Sequence, residues 1–231
     1  MQFDPQVLII NSLIWSKPLI ADADTGFGGL INIRHTVRGY EAAGVQAMQM
    51  EDQENPKKCG HTPNRRVVPL PDMLKRIEVA LDARRGDDFL LIARTDARTG
   101  QGIGEAIKRG KAFAKAGADI VFVESPESVD EFKQIGQELA GCGAWLIANM
   151  VPSGRSPEIP AKELQAMGFS LAIWPGIGMG AVCAALESTY RYLEQNGSTI
   201  ACPTPMFNMN QLHQLAGFED VWAFEKRYAE V

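Results

Sequence analysis

The chain has 231 residues, 45% of them hydrophobic, which is enough apolar material for one globular domain or a single α/β barrel. Its formal charge of -5 is spread over interspersed acids and bases, with no basic stripe to follow a phosphate backbone, so no nucleic-acid partner is expected. Cys59, Cys142, Cys183 and Cys202 show no paired spacing, which points to reduced thiols rather than a disulfide framework.

The opening Met1-Gln2-Phe3-Asp4 lacks the basic start and apolar core of a signal peptide, and a cytoplasmic protein is expected. Six short apolar segments then read as buried strands: Pro18–Asp24, Val45–Glu51, Phe89–Asp96, Ile120–Glu124, Trp145–Asn149 and Phe169–Trp174. Near-continuous apolar runs of this kind suit a parallel sheet covered on both faces. Amphipathic helices alternate with them. In the clearest, Ile103, Ala106, Ile107, Gly110, Phe113, Ala114 and Gly117 share one helical face. Another is expected to follow Pro126, with that proline at its first position and Val129, Phe132 and Leu139 on one side. The long uncharged run between Glu163 and Glu187 is broken by Pro175, Gly176, Gly178 and Gly180, so it reads as strand, turn and helix start, not as a membrane span. Asn210–Val231 is a helical tail whose Leu212, Leu215, Phe218, Val221, Trp222 and Phe224 are too apolar for a free end.

Polar residues recur where the strands end: Asp22 and Asp24, Glu51, Arg94 and Asp96, Glu124 and Asn149. In a parallel (β/α) barrel the carboxyl ends of the strands converge on the face that carries the active site. Helix capping would account for one or two of these residues, but not for all of them. Asp22 and Asp24 lie two apart, so a strand would aim both to one face beside the turn permitted by Gly26, Gly28 and Gly29. Together with Glu51 they form an all-oxygen set suited to Mg²⁺ or Mn²⁺ held partly through water. A general acid/base pair is the competing reading of the two aspartates.

The connection from Glu51 to Asp96 is far longer than the others, and its excess falls at Asp52–Leu70, as expected of a lid or binding loop. It carries Lys57-Lys58-Cys59-Gly60-His61. Cationic neighbours there would make the Cys59 thiol a competent proton donor or nucleophile. A Cys/His hydrolase is the rival, although residues two apart on a loop define no base geometry. Arg94, at the end of an apolar strand, is suited to a substrate carboxylate or to a nearby protein acid such as Glu124. His35 and His213 are given no role.

In their order, Asp22-Ala23-Asp24-Thr25-Gly26-Phe27-Gly28-Gly29, Glu51-Asp52-Gln53, Lys57-Lys58-Cys59-Gly60-His61, Ala93-Arg94-Thr95-Asp96-Ala97 and Asn149-Met150 resemble the isocitrate lyase and phosphoenolpyruvate mutase superfamily, over essentially the whole chain. The Lys-Lys-Cys-Gly-His loop is similar to that of its carbon-carbon lyase branch, and the short length to 2-methylisocitrate and 2,3-dimethylmalate lyases. The resemblance implies an α/β fold of the (β/α)8 TIM-type barrel kind, here lacking the first two βα units, with residues 1–17 as a remnant of the second helix. It also implies a single barrel domain over 1–231, with a helical tail from about residue 195 that is exchanged within a homodimer or homotetramer. The implied reaction is Mg²⁺-dependent (Mn²⁺ as the alternative) retro-aldol cleavage of a small 2-hydroxy di- or tricarboxylate to a 2-oxo acid and a second carboxylate. In it Asp22, Asp24 and Glu51 hold the metal, while Arg94, Glu124, Asn149, Gly60 and His61 bind substrate. Cys59 protonates the departing enolate, and Lys57, Lys58 and His61 stabilise that anion. Gln49 stands where many relatives carry histidine. Two other readings stay open: an oxaloacetate hydrolase or decarboxylase of the same superfamily, and a shortened, catalytically inactive subunit.

Overall fold

The structure, a computed structural model, describes residues 17–60, 62 and 64–228. The helix expected before Lys17, together with His61, therefore lies outside the described residues. By its internal contacts the chain divides after Gly176 into two compact units.

In the first unit, six strands form one parallel sheet in chain order: β1 (Ile20–Asp22), β2 (Ala47–Glu51), β3 (Leu90–Thr95), β4 (Ile120–Val123), β5 (Trp145–Asn149) and β6 (Leu171–Ile173). The helices between them are α1 (Leu30–Ala42), α2 (Leu70–Ala83), α3 (Ala97–Lys115), α4 (Val129–Glu138) and α5 (Ala161–Ala166). All six expected strands are present, Trp145–Asn149 with the expected bounds and the other five trimmed at one or both ends. The arrangement is a parallel half-barrel of βα units.

The alternation of each strand sorts two cores. Met48, Leu91, Val121, Leu146 and Ala148 face the helices, where they join Ile33, Val37, Met73, Ile77, Ile107, Phe113, Phe132 and Leu164. Ala47, Ile92, Ile120, Phe122 and Ile147 form a smaller cluster on the opposite face. Burial on both sides is the physical reason that these strands read as unbroken apolar runs. Register ties the rows together, with Glu51 opposite Arg94 and Arg94 opposite Phe122, so the polar strand ends gather at one edge above the inner cluster.

Two local expectations change. The helix after Pro126 begins at Val129, because the Ser128 hydroxyl accepts from Glu131 N at 3.2 Å and caps it there; the proline precedes the helix. Asp24 does not continue β1. Its backbone is left-handed (φ 50°) and its N–H donates to Asp22 Oδ1 at 2.8 Å, so a tight turn, not strand alternation, brings the two carboxylates together.

The second unit comprises α6 (Ile177–Asn196), α7 (Met209–Leu215) and α8 (Phe218–Tyr228). Asn208 caps α7 through Gln211 N at 3.0 Å, and His213 packs its ring 4.8 Å from that of Phe218 on α8. Among the described residues no helix is long and apolar enough to cross a membrane.

Candidate active site

Because all six strands run the same way, the residue at or just past the end of each is delivered to one place. Glu51 closes β2, and its side chain is 1% exposed. Its Oε1 accepts from Gln53 Nε2 at 2.7 Å, and its Oε2 lies 3.5 Å from Arg94 Nε. Burial, opposed by Arg94 and Lys57 and reinforced by Asp96 and Asp22, pushes the Glu51 carboxyl up to about 7. Lys57 reaches down from the loop after β2. Its ammonium pairs with Asp24 Oδ1 and lies 3.8 Å from Asp22 Oδ2 and 3.9 Å from Glu51 Oε1. Although burial opposes the charge, the hydrogen bond to Asp24 and the fields of Glu51 and Asp22 raise the Lys57 pKa above its ordinary value. The three carboxylates thus already share one cation.

Beside this cluster Arg94, from β3, is nearly buried and lies over the Phe122 ring, 5.1 Å from its centroid. Its Nε and Nη2 donate to the two oxygens of Asp96 at 2.9 and 3.0 Å, and its Nη1 lies 3.6 Å from Glu124 Oε2. Burial works against the guanidinium charge, but Glu124, Asp96 and Glu51 outweigh it, and the pKa is raised. Glu124 also accepts from Asn149 Nδ2 at 3.2 Å, and Asn149 Oδ1 is buried without a partner among the described residues. Of the two readings of Arg94, the protein-acid pairing is present in the structure, chiefly to Asp96. The outer N–H groups of Nη1 face the side of Glu124.

The connection between β2 and α2 is folded back on itself, with an antiparallel bridge from Gln53 to Val67 and bonds from Glu54 N to Arg66 O and from Val68 N to Asp52 O, both 2.9 Å. Gln53 fixes its inner turn, accepting from Lys58 N at 3.1 Å and donating to Lys58 O at 3.0 Å. Gly60 runs directly over the site: a β-carbon there would lie 2.8 Å from Arg94 Nη2 and 3.2 Å from Glu124 Oε1. Cys59 is exposed, and its carbonyl accepts from Thr62 N and Oγ1. The two lysines are turned elsewhere, Lys57 to the acids and Lys58 Nζ to Asn64 O at 3.2 Å. The structure therefore gathers Asp22, Asp24, Glu51, Lys57, Gly60, Arg94, Glu124 and Asn149, with Lys58 and Cys59 at the rim.

Sequence reasoning missed a second layer. Asp52, fully buried, accepts from Thr95 Oγ1 at 2.7 Å, Asp96 N at 2.9 Å and Arg109 Nη1 at 3.0 Å. Burial pushes its carboxyl up, against these hydrogen bonds and the Arg109 charge. Arg65 and Asp96 form a fully buried ion pair. A usable signal existed in the two charged residues that flank Thr95 at the end of an apolar strand.

The acids fit a divalent cation. Asp22, Asp24 and Glu51 offer only hard oxygen donors, and the ammonium of Lys57 stands where those oxygens already face positive charge. Among the described residues no group of three or more His, Cys, Asp or Glu side chains is arranged to hold a metal ion; the fit lies in the donor chemistry alone, oxygen ligands of the kind magnesium takes alongside water.

A βα half-barrel with a carboxylate cluster, an arginine and a long loop at the strand ends is the frame of a carboxylate-handling enzyme. Residues 7–193 match the phosphoenolpyruvate phosphomutase family, and the chain belongs to the phosphoenolpyruvate mutase/isocitrate lyase superfamily. It is 42% identical over 212 residues to 2,3-dimethylmalate lyase of Eubacterium barkeri, covering 92% of this chain and 72% of that protein. To 2-methylisocitrate lyase of Aeropyrum pernix it is 38% identical over 214 residues, covering 93% and 67%. Its fold superposes on oxaloacetate acetylhydrolase in complex with 3,3-difluorooxalacetate with a TM-score of 0.88 at 33% identity, over 97% of this chain and 75% of that one. Phosphonopyruvate hydrolase in complex with oxalate and Mg²⁺ gives a TM-score of 0.83 at 27% identity, over 100% and 80%.

Proposed function

We propose that this chain is a Mg²⁺-dependent carbon-carbon lyase that cleaves a small 2-hydroxy di- or tricarboxylate to a 2-oxo acid and a second carboxylate. The observation that carries the reading is the single cation, Lys57, shared by Asp22, Asp24 and Glu51 beside a buried arginine, within a chain similar to two lyases of such acids. Asp22, Asp24 and Glu51 would hold the metal, in part through water. When bound, it would supply positive charge against the negative charge that develops on the substrate oxygens.

The remaining steps belong to the chain. Arg94 receives a substrate carboxylate on its Nη1 side, and Glu124 and Asn149 fix that side of the pocket. The substrate 2-hydroxyl gives its proton to a carboxylate of the site and becomes the 2-oxo group as the bond between C2 and C3 breaks. The electron pair passes to the fragment that carries C3, as an enolate, and the Cys59 thiol returns a proton to that carbon. Gly60, running over Arg94 and Glu124, keeps water from this step, and Lys57, Lys58 and His61 offset the enolate charge. The exposed apolar side chains of α6 to α8 support self-association, as a homodimer or homotetramer.

Hydrolysis of oxaloacetate is the second reading, favoured by the superposition on oxaloacetate acetylhydrolase. The test is 2-oxo acid release from 2,3-dimethylmalate, 2-methylisocitrate and isocitrate, followed through lactate dehydrogenase, beside loss of oxaloacetate, followed through malate dehydrogenase. Turnover of a hydroxy acid that stops on chelation and returns with Mg²⁺ is expected. Consumption of oxaloacetate alone would move the assignment to the hydrolase.

A further inference from the structure

Arg65 lies near the end of the β2–α2 connection, yet its side chain is completely buried. A buried guanidinium on a loop demands partners, and those it finds belong to the site. Its Nη1 bonds Asp96 Oδ1, while its Nη2 bonds Thr99 Oγ1 and lies 3.3 Å from Ser125 Oγ. The same Asp96 carboxylate takes the fork of Arg94 at 2.9 and 3.0 Å. One acid therefore joins a guanidinium of the loop to the guanidinium of the site, across 31 residues of sequence on one side and two on the other.

Ser125 adds a second tie. It holds a left-handed backbone (φ 58°), unusual for serine, and its single hydroxyl proton has two acceptors in reach: Gly60 O at 3.2 Å and Glu124 Oε1 at 3.0 Å. The loop thus touches the site at Arg65 and at Gly60, and both contacts meet through Ser125.

Arg94 stands among three acids, Asp96, Glu51 and Glu124, and the acid that holds it decides where its free N–H groups point. We propose that Arg65 is a positioning residue: by clamping Asp96 it fixes the fork of Arg94, leaves Nη1 for a substrate carboxylate, and makes that posture depend on the seated loop. The catalytic consequence rests on the lyase reading above; the coupling between loop and arginine does not.

Two measurements separate these. Hydrogen exchange by mass spectrometry, on the metal-free wild type and Arg65→Gln, needs no turnover. Faster exchange is expected both in the 52–69 loop and at the end of β3 through Thr99, with β4 and β5 unchanged. Loosening of the loop alone would show that Arg65 merely anchors it, and would overturn the proposal. If Arg65→Gln loosens every strand, Arg65→Lys, which keeps the charge but not the fork, carries the same comparison. In the 2-oxo acid assay, Arg65→Gln is expected to raise KM by about tenfold or more, with kcat changed much less and part of the loss recovered in Arg65→Lys. An unchanged KM would remove the catalytic role. A wild type that releases no 2-oxo acid would sink the lyase reading, while the exchange data would still decide the coupling.

Discussion

Asp24 shows what a residue-scale reading of the sequence reaches and where it stops. Its nearness to Asp22 was legible, because two carboxylates beside glycines have few structural reasons to stand together, but the backbone that produces it was not. The left-handed turn that brings Asp24 back onto Asp22 Oδ1 replaces the strand alternation that the spacing suggested. Arg65 was not legible at all, since an arginine in a polar loop looks solvated until the fold brings Asp96 and Ser125 to it from 31 and 60 residues away. The carboxylate cluster yields a residue-scale test. Asp24→Asn removes one anionic donor from the cation site, so the Mg²⁺ concentration for half-maximal activity should rise by about tenfold or more, as read from a metal titration of the rate. An unchanged titration would take Asp24 out of the site. At the rim, Cys59→Ala, which removes the thiol, should lower kcat by roughly 10²–10⁴-fold if the thiol is the proton donor, with circular dichroism unchanged because the residue is exposed.

At the scale of elements, the six strands were legible because parallel strands buried on both faces leave continuous apolar runs between polar ends, and the observed strands fall inside the expected segments. The helix ends were less so. Pro126 is a familiar first residue of a helix, but the hydroxyl of Ser128 supplies the actual cap two positions later. The packing of α4 against the turn after α5 was invisible in sequence, since Gly136 shows its role only when its neighbour is known. A β-carbon there would lie 1.7 Å from the backbone oxygen of Met167. That atom cannot rotate away, so Gly136→Ala must push the turn off α4, with an expected loss of about 3 kcal/mol in urea unfolding. A loss below about 1 kcal/mol would mean that the two elements separate freely. Phe113, fully buried on α3, gives the contrasting case: Phe113→Ala leaves a cavity and should cost roughly 3–5 kcal/mol by the same measurement.

For the whole molecule, the division at Gly176 separates a half-barrel that carries every candidate catalytic residue from a helical unit that carries none. In that second unit Val182, Leu186, Trp222 and Phe224 are each about half exposed or more, from 48% to 63%, more apolar surface than isolated helices keep in water. Light scattering should return a multiple of the 25.3 kDa chain mass, and a strictly monomeric mass would contradict self-association. The fold class and the superfamily were readable from motif order, because the acids, the loop and the arginine sit at strand ends that the barrel must bring together. The substrate was not readable, since one methyl group changes discrimination by only about 1–3 kcal/mol. The most direct test of the lyase reading is therefore 2-oxo acid release from 2,3-dimethylmalate beside loss of oxaloacetate, the latter followed with malate dehydrogenase, in Mg²⁺, by the wild type and by Cys59→Ala. Release from the hydroxy acid that collapses in Cys59→Ala is the expected result; oxaloacetate turnover that persists in the variant, with none from the hydroxy acid, would contradict it.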